Sequence, residues 1–248
     1  EGEKTIVDVA NAIRTDNDYR TLPGLAVISD GHITMNPRKE RIRDIDAIHR
    51  PDWEMVPLKN YFENNLTYGV DRGRSMPMVA SRGCPYKCTF CSNPEMWTQL
   101  WLAREPKEVV DEIEEYIRKY DISNVDFYDL TAIIKRQWII DFSKELIHRN
   151  INITWQLPSG TRSEAIDKEV AEYLYRSGCR NLNYAPESGS IETLKNIKKK
   201  IKIPNLLQSL KDSVKAGLNV KMNIIIGLPD EKHAHIWQTL LFLVKLSW

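Results

Sequence analysis

The chain has 248 residues, 42% of them hydrophobic and 28% charged, a globular composition that excludes disorder and collagen-like structure. Its 35 Lys plus Arg against 34 Asp plus Glu leave a net charge of +1, too small to steer it toward nucleic acid or an anionic membrane, so a small-molecule partner is expected. The charge-free apolar stretch His233 to Val244 is shorter than the roughly 18 residues of a membrane span. The opening Glu1-Gly2-Glu3-Lys4 carries no basic-then-apolar leader, and a cytoplasmic setting is expected.

From Thr5 to Arg14, Ile6, Val7, Val9, Ala10 and Ile13 follow a helical spacing behind acidic residues that suit a helix N-terminus. Leu25 to Ile28 and Ile33 to Met35 flank Ser29-Asp30-Gly31-His32, where Asp-Gly signals a two-residue hairpin turn. Between Asn36 and Pro77 the periodicity lapses. Pro37, Pro51, Pro57 and Pro77 interrupt a charged stretch with anchors at Trp53, Tyr61 and Phe62, which reads as a linker lying on other structure.

Past Pro77, β-rich runs alternate with amphipathic helices. Strands are predicted at Met78–Ser81, Asn124–Tyr128, Ile151–Gln156, Arg180–Tyr184 and Asn219–Ile226. Val109, Val110, Ile113, Tyr116, Ile117 and Tyr120 make one helical stripe; Trp138, Ile139, Phe142, Leu146 and Ile147 make another, and an apolar helix closes the chain over Ile236–Trp248. Gly178 and Gly217 each follow a helix and precede a strand, as left-handed C-caps do. The pattern is α/β, with five parallel strands wound as an open sheet or as part of a barrel; both place the chemistry at the strands' C-terminal ends.

Three of the four cysteines crowd into Cys84-Pro85-Tyr86-Lys87-Cys88-Thr89-Phe90-Cys91, directly after the first predicted parallel strand. Three thiolates can hold three irons of a cubane cluster and leave the fourth open, whereas a structural zinc needs four protein ligands. The plain alternative is packing or zinc cysteines completed by a distant His. Cys179 reads as a small buried hydrophobe, and His49, His148, His233 and His235 have no partners at metal-ligand spacing.

This CxxxCxxC run, with aromatic Phe90 before its third Cys, resembles the signature of the radical S-adenosylmethionine (SAM) enzymes. The resemblance implies a 4Fe-4S cluster on Cys84, Cys88 and Cys91, SAM on the open iron, reductive cleavage of SAM and abstraction of a substrate hydrogen. It also implies a flavodoxin- or ferredoxin-type electron donor and a partial (β/α)6 TIM-like barrel. Other strand ends resemble the family's cofactor contacts. Asp129, in Asp126-Phe127-Tyr128-Asp129, stands where the family meets the amino group of SAM; Arg162 resembles an Arg of the cobalamin-dependent subgroup that meets the carboxylate. Pro186-Glu187-Ser188-Gly189-Ser190 resembles that subgroup's Glu-Ser-Gly-Ser, implicating Glu187 and Ser188, while Ser190 also suits a helix cap. Asn223 to Asp230 resembles the adenine-binding GxIxGxxE, with Asn223 and Asp230 departing from it and Ile225 and Gly227 fitting.

The N-terminal helix, hairpin and Asp52-Trp53 resemble the exit of a cobalamin-binding domain. The expected organisation is a remnant of that domain over residues 1–35, a linker over 36–77 and the barrel over 78–248, with both ends cut. Cobalamin is then expected only when the rest of that domain is present, and Val27, Trp53 and Tyr61 are expected to lie exposed. The implied reactions are methylation, cyclisation or rearrangement. The rivals are a methylthiotransferase acting on tRNA and an electron-carrying iron-sulfur protein with Cys179 as fourth ligand. Asp30-Gly31-His32 has the start of a cobalt-binding DxHxxG, but Met35 replaces its Gly and a hairpin turn accounts for it. Lys195, Lys198, Lys199, Lys200 and Lys202 read as a solvated helix end rather than a nucleic-acid patch.

Overall fold

The computed structural model describes residues 1–38 and 40–246, with Ser163 described by its backbone alone. The chain divides into two compact units, Glu1–Arg50 and Pro51–Trp248. The first holds helix α1 (Glu3–Arg14) and a hairpin of β1 (Ala26–Ser29) and β2 (His32–Met35). Asp30 and Gly31 at its turn have φ of 51° and 78°, the left-handed pair that a two-residue turn requires.

The second unit runs through α2 (Leu58–Glu63), β3 (Ser75–Met78), β4 (Ser81–Arg82), α3 (Asn93–Trp97), β5 (Leu102–Ala103), α4 (Pro106–Tyr120), β6 (Asn124–Phe127) and α5 (Arg136–His148). It continues through β7 (Thr154–Thr161), α6 (Lys168–Arg176), β8 (Cys179–Glu187), α7 (Ile191–Asn196), α8 (Ile203–Lys215), β9 (Asn219–Ile224) and α9 (His233–Leu246). Strands β3, β6, β7, β8 and β9 form one parallel sheet in chain order, and the short β4 and β5 pair antiparallel beside it. Gly178 and Gly217 carry φ of 99° and 95°, as the C-cap reading expects.

The first parallel strand begins three residues earlier than expected, because Pro77 sits inside it. β3 is an edge strand, where a residue without an N–H is tolerated. The last strand ends at Ile224 rather than Ile226. Trp53 is not left exposed: its Nε1 donates to the Tyr116 hydroxyl at 2.9 Å and its ring meets Tyr116 edge-on, so this anchor packs on α4. Tyr61 is exposed, as expected.

One face of the sheet is apolar. Met76, Val125, Phe127, Trp155, Leu182 and Tyr184 are buried there against α4, α5, α6 and α8, with Phe127, Phe142 and Trp155 in mutual edge-to-face contact. The other face is polar, as the period of two in Asn124-Val125-Asp126 and Asn181-Leu182-Asn183 dictates. Residues Thr67 to Arg72 cross it as a strap. Thr67 Oγ1 donates to Asp126 at 2.5 Å, Val70 N to Gln156 Oε1 at 3.1 Å, Gln156 Nε2 to the Val70 carbonyl at 2.9 Å and Arg72 Nη2 to Asn181 Oδ1 at 3.2 Å. A Cβ on Gly69 would lie 2.3 Å from Gln156 Nε2, so only glycine lets the strap approach this closely.

Candidate active site at the strand ends

The cysteine loop leaves β4 and is fastened from two sides. Asp129, just past β6, is buried; its Oδ2 accepts from Ala80 N at 3.0 Å and its Oδ1 from Ser81 Oγ at 2.5 Å. Burial pushes its carboxyl up to about 6, against the pull of those hydrogen bonds. Both oxygens therefore serve the chain that launches the loop. Within the loop, Cys91 N donates to the Cys88 carbonyl at 3.1 Å. Buried Asn93 donates from Nδ2 to the Cys84 carbonyl at 3.1 Å and from its backbone to Cys91 Sγ at 3.5 Å. Thr89 N reaches the Ile197 carbonyl at 3.0 Å, tying the loop to the segment after α7.

That segment supplies a residue that sequence reasoning placed in solvent. Lys199 turns inward and its Nζ donates to Glu187 Oε1 at 2.8 Å, the two side chains being only 9% and 8% exposed. The same ammonium lies 5.8 Å from the centre of the Phe90 ring. Helix α7 ends at Asn196, before most of the lysine run, so the run is no helix end. Glu187 holds φ at 69°, an uncommon conformation for a non-glycine residue, at the end of β8.

Arg162 completes the charged group. Its guanidinium stacks 3.6 Å over the Tyr86 ring of the cysteine loop, and it forks onto Glu164 and donates to the Lys200 carbonyl. Its Nη1 is buried without a partner among the described residues. A buried donor left open in this way suits an anionic group not present here.

The remaining expected contacts are divided. Ser188 Oγ pairs with Thr239 Oγ1 of α9 at 3.0 Å, and the Gly189 amide donates to the same Thr239 oxygen. Ser190 caps α7 through Thr193 N. The backbone amide of Ile225 donates to the Glu187 carbonyl at 2.9 Å, bringing the end of β9 beside that of β8. Gly227 is exposed with φ 89°, and its amide donates to Glu231 Oε2 at 2.7 Å. The carboxylate that closes this loop thus belongs to Glu231, one residue beyond the expected Asp230. Cys179 is fully buried at the opposite end of β8 from Glu187, where burial pushes its thiol up, so it cannot complete a cluster at the loop. His235 is buried and satisfied by Glu192 and the Lys232 amide.

The structure thus brings Phe90, Arg162 and Glu187 to the cysteine loop, adds Lys199, sets Ile225 beside Glu187, and gives Asp129 and Ser188 to neighbouring backbone and side chains. Burial pushes the Cys88 thiol up; Lys199 and then Arg162 pull it down, and Cys84 and Cys91 push it up again. Among the described residues no three Cys, His, Asp or Glu side chains converge as a ready ion site. Three soft thiols on one short loop, under two buried cations and with no fourth thiol nearby, nevertheless fit an iron-sulfur cluster with one open iron.

The model of the Radical SAM superfamily matches residues 78–243. An uncharacterized methyltransferase of Pyrococcus horikoshii is 27% identical over 247 residues, covering 100% of this chain and 52% of that protein. The anaerobic magnesium-protoporphyrin IX monomethyl ester cyclase of Cereibacter sphaeroides is 27% identical over 253 residues, 100% of this chain and 40% of that protein. The chain therefore spans about half, or less, of the length of these relatives. Among solved structures, the methyltransferase TsrM of Kitasatospora setae with cobalamin and a [4Fe-4S] cluster has a TM-score of 0.80 at 18% identity, covering 99% of this chain and 49% of that one. The cobalamin-dependent radical enzyme OxsB with aqua-cobalamin and SAM has a TM-score of 0.79 at 19% identity, covering 98% and 35%. The parallel sheet is thereby placed as a partial TIM-like barrel of this kind. No helix among the described residues is long and apolar enough to cross a membrane.

Proposed function

The chain belongs to the radical SAM superfamily, and on that footing we propose that it is the barrel of a cobalamin-type radical SAM enzyme catalysing methylation or cyclisation. A 4Fe-4S cluster, once reduced by an external one-electron donor, would supply the electron for reductive cleavage of SAM, and the SAM-derived radical would take hydrogen from a small-molecule substrate. Cys84, Cys88 and Cys91 serve as its ligands. Lys199 and Arg162 supply positive charge beside Cys88, which favours the thiolates, so that loading the loop releases protons. The open Nη1 of Arg162 and the Lys199 ammonium are the donors for the carboxylate of SAM, and Glu187 is the acceptor for its amino group. Asp129 acts at one remove, by holding Ala80 and Ser81 where the loop begins.

The observation that carries this reading is the convergence of two buried cations and Glu187 on a three-thiol loop. The rival electron carrier loses its only candidate fourth ligand in Cys179. Anaerobic reconstitution with iron and sulfide, followed by SAM and dithionite, tests the proposal: 5′-deoxyadenosine should form. A reconstituted cluster that never yields it overturns the enzyme reading in favour of the carrier.

A further inference from the structure

The polar face of the sheet is satisfied on one side and open on the other. Asp126, Gln156 and Asn181 are saturated by the strap and by one another: Gln156 Nε2 donates to Asp126 at 2.6 Å and Asn181 Nδ2 to Gln156 Oε1 at 2.7 Å. Next to them a cavity of about 310 Å³ opens between the strap and strands β8 and β9. Asn183, Lys221 and Asn223 line it. Asn183 is 7% exposed; its Nδ2 donates to the Pro158 carbonyl at 2.7 Å, which turns its amide oxygen to acceptor duty, yet that oxygen is buried with no partner among the described residues. Lys221 is the register partner of Asn183 across the parallel pair, so both project to the same face. Among the described residues no carboxylate pairs with Lys221. A buried acceptor without a donor, beside a cation without an anion, is the complement of a particular ligand.

We propose that this cavity binds the polar end of the substrate, a group carrying an anion, carboxylate or phosphate, next to a hydrogen-bond donor. Lys221 takes the anion and the Asn183 carbonyl takes the donor. This rests on the radical SAM reading only for what happens at the other end of the ligand. Glu187 lies four residues further along β8, about 13 Å at roughly 3.3 Å per residue, so a ligand anchored here must be elongated to present its reacting carbon at the cysteine loop. The site therefore selects substrates by their far end.

The test uses the cluster-free 248-residue chain and two probes, N-acetylglutamate for the carboxylate arm and O-phosphoserine for the phosphate arm, with neutral N-acetylglutamine amide as control, followed by ligand-observed NMR titration. At least one anionic probe should bind and the control should not. Lys221→Met, at an exposed position that does not threaten folding, should weaken binding by about tenfold, as should Asn183→Leu. Whichever anion binds more tightly names the source. Binding unchanged in Lys221→Met, or no binding of either probe by the wild type, overturns the proposal, and the lysine is then only an inward charge protecting a sheet edge. SAM affinity of the reconstituted protein should be the same in Lys221→Met and wild type. Probe binding without 5′-deoxyadenosine formation leaves this site standing while the proposed function fails; the converse result does the reverse.

Discussion

Lys199 and Glu187 form an ion pair at 2.8 Å beneath the cysteine loop, with both side chains withdrawn from water. Removing one partner of such a pair strands the other charge, which costs about 3–5 kcal/mol. Lys199→Met should therefore destabilise the protein by an amount of that order in urea unfolding. The double variant Glu187→Gln, Lys199→Met should recover most of the loss, because no buried charge then remains unpaired. Equal destabilisation in single and double variants would show that the pair is not coupled.

The three loop thiols are assigned together, so Cys84→Ala, Cys88→Ala and Cys91→Ala should each abolish the reconstituted cluster, whereas Cys179→Ala should keep it. Arg162→Ala and Glu187→Ala should retain iron and bind SAM about one to two decades more weakly, the loss of one charge-assisted hydrogen bond each. Iron counting and equilibrium dialysis check both statements. Iron that survives a loop substitution removes that residue from the ligand set.

Asp129 gives a pH dependence with a definite sign. Its folded-state value of about 6 lies above an aspartate's ordinary value of 3.8 because burial disfavours the charge. The folded state then binds the proton more tightly than the unfolded state, so the contribution to stability is fully present below about pH 4 and is lost as pH rises through about 6. At about 1.4 kcal/mol per pH unit, the swing approaches 3 kcal/mol. Asp129→Asn should flatten the stability profile between pH 4 and 6, measured by denaturant unfolding at each pH. A profile that keeps its slope in the variant assigns the dependence to another group.

The described residues of the unit Glu1–Arg50 form one α-helix, a 3-10 turn at Tyr19–Thr21 and one hairpin, with Ile28, Ile33 and Met35 largely exposed and no parallel sheet. We expect residues 1–35 to be the exit of a cobalamin-binding domain and the 248-residue chain to bind no cobalamin tightly. Titration with hydroxocobalamin, followed by its visible spectrum, should show no stoichiometric shift. A tight one-to-one complex would place a cobalamin site in this chain.

The residues that speak most directly in the sequence are those whose partners are local. Cys84, Cys88 and Cys91 lie within eight positions, and their spacing alone points to three ligands without a fourth. Asp30-Gly31 specifies its turn because the positive φ values are a property of the two residues concerned. The alternation of Asn181, Leu182, Asn183 and Tyr184 announces a two-faced strand, and the stripe on α4 announces its buried side.

Contacts between distant segments are where the three-dimensional arrangement decides. A lysine in a run of lysines carries no sign of which one turns inward; Lys199 does so because Lys198, with φ of 54°, reverses the chain after α7 and Thr89 holds the neighbouring Ile197 carbonyl. Likewise Asp129 and Ser188 look like ligand contacts in a motif but spend their oxygens on Ala80, Ser81 and Thr239 once the strand ends are brought together. Periodicity fixes which face of a strand or helix is buried because side-chain direction follows from the backbone repeat. The partner of a polar group depends on which remote atom arrives within about 3 Å, and that is settled only when β3, β6, β7, β8 and β9 have assembled and the strap and the cysteine loop have closed over them.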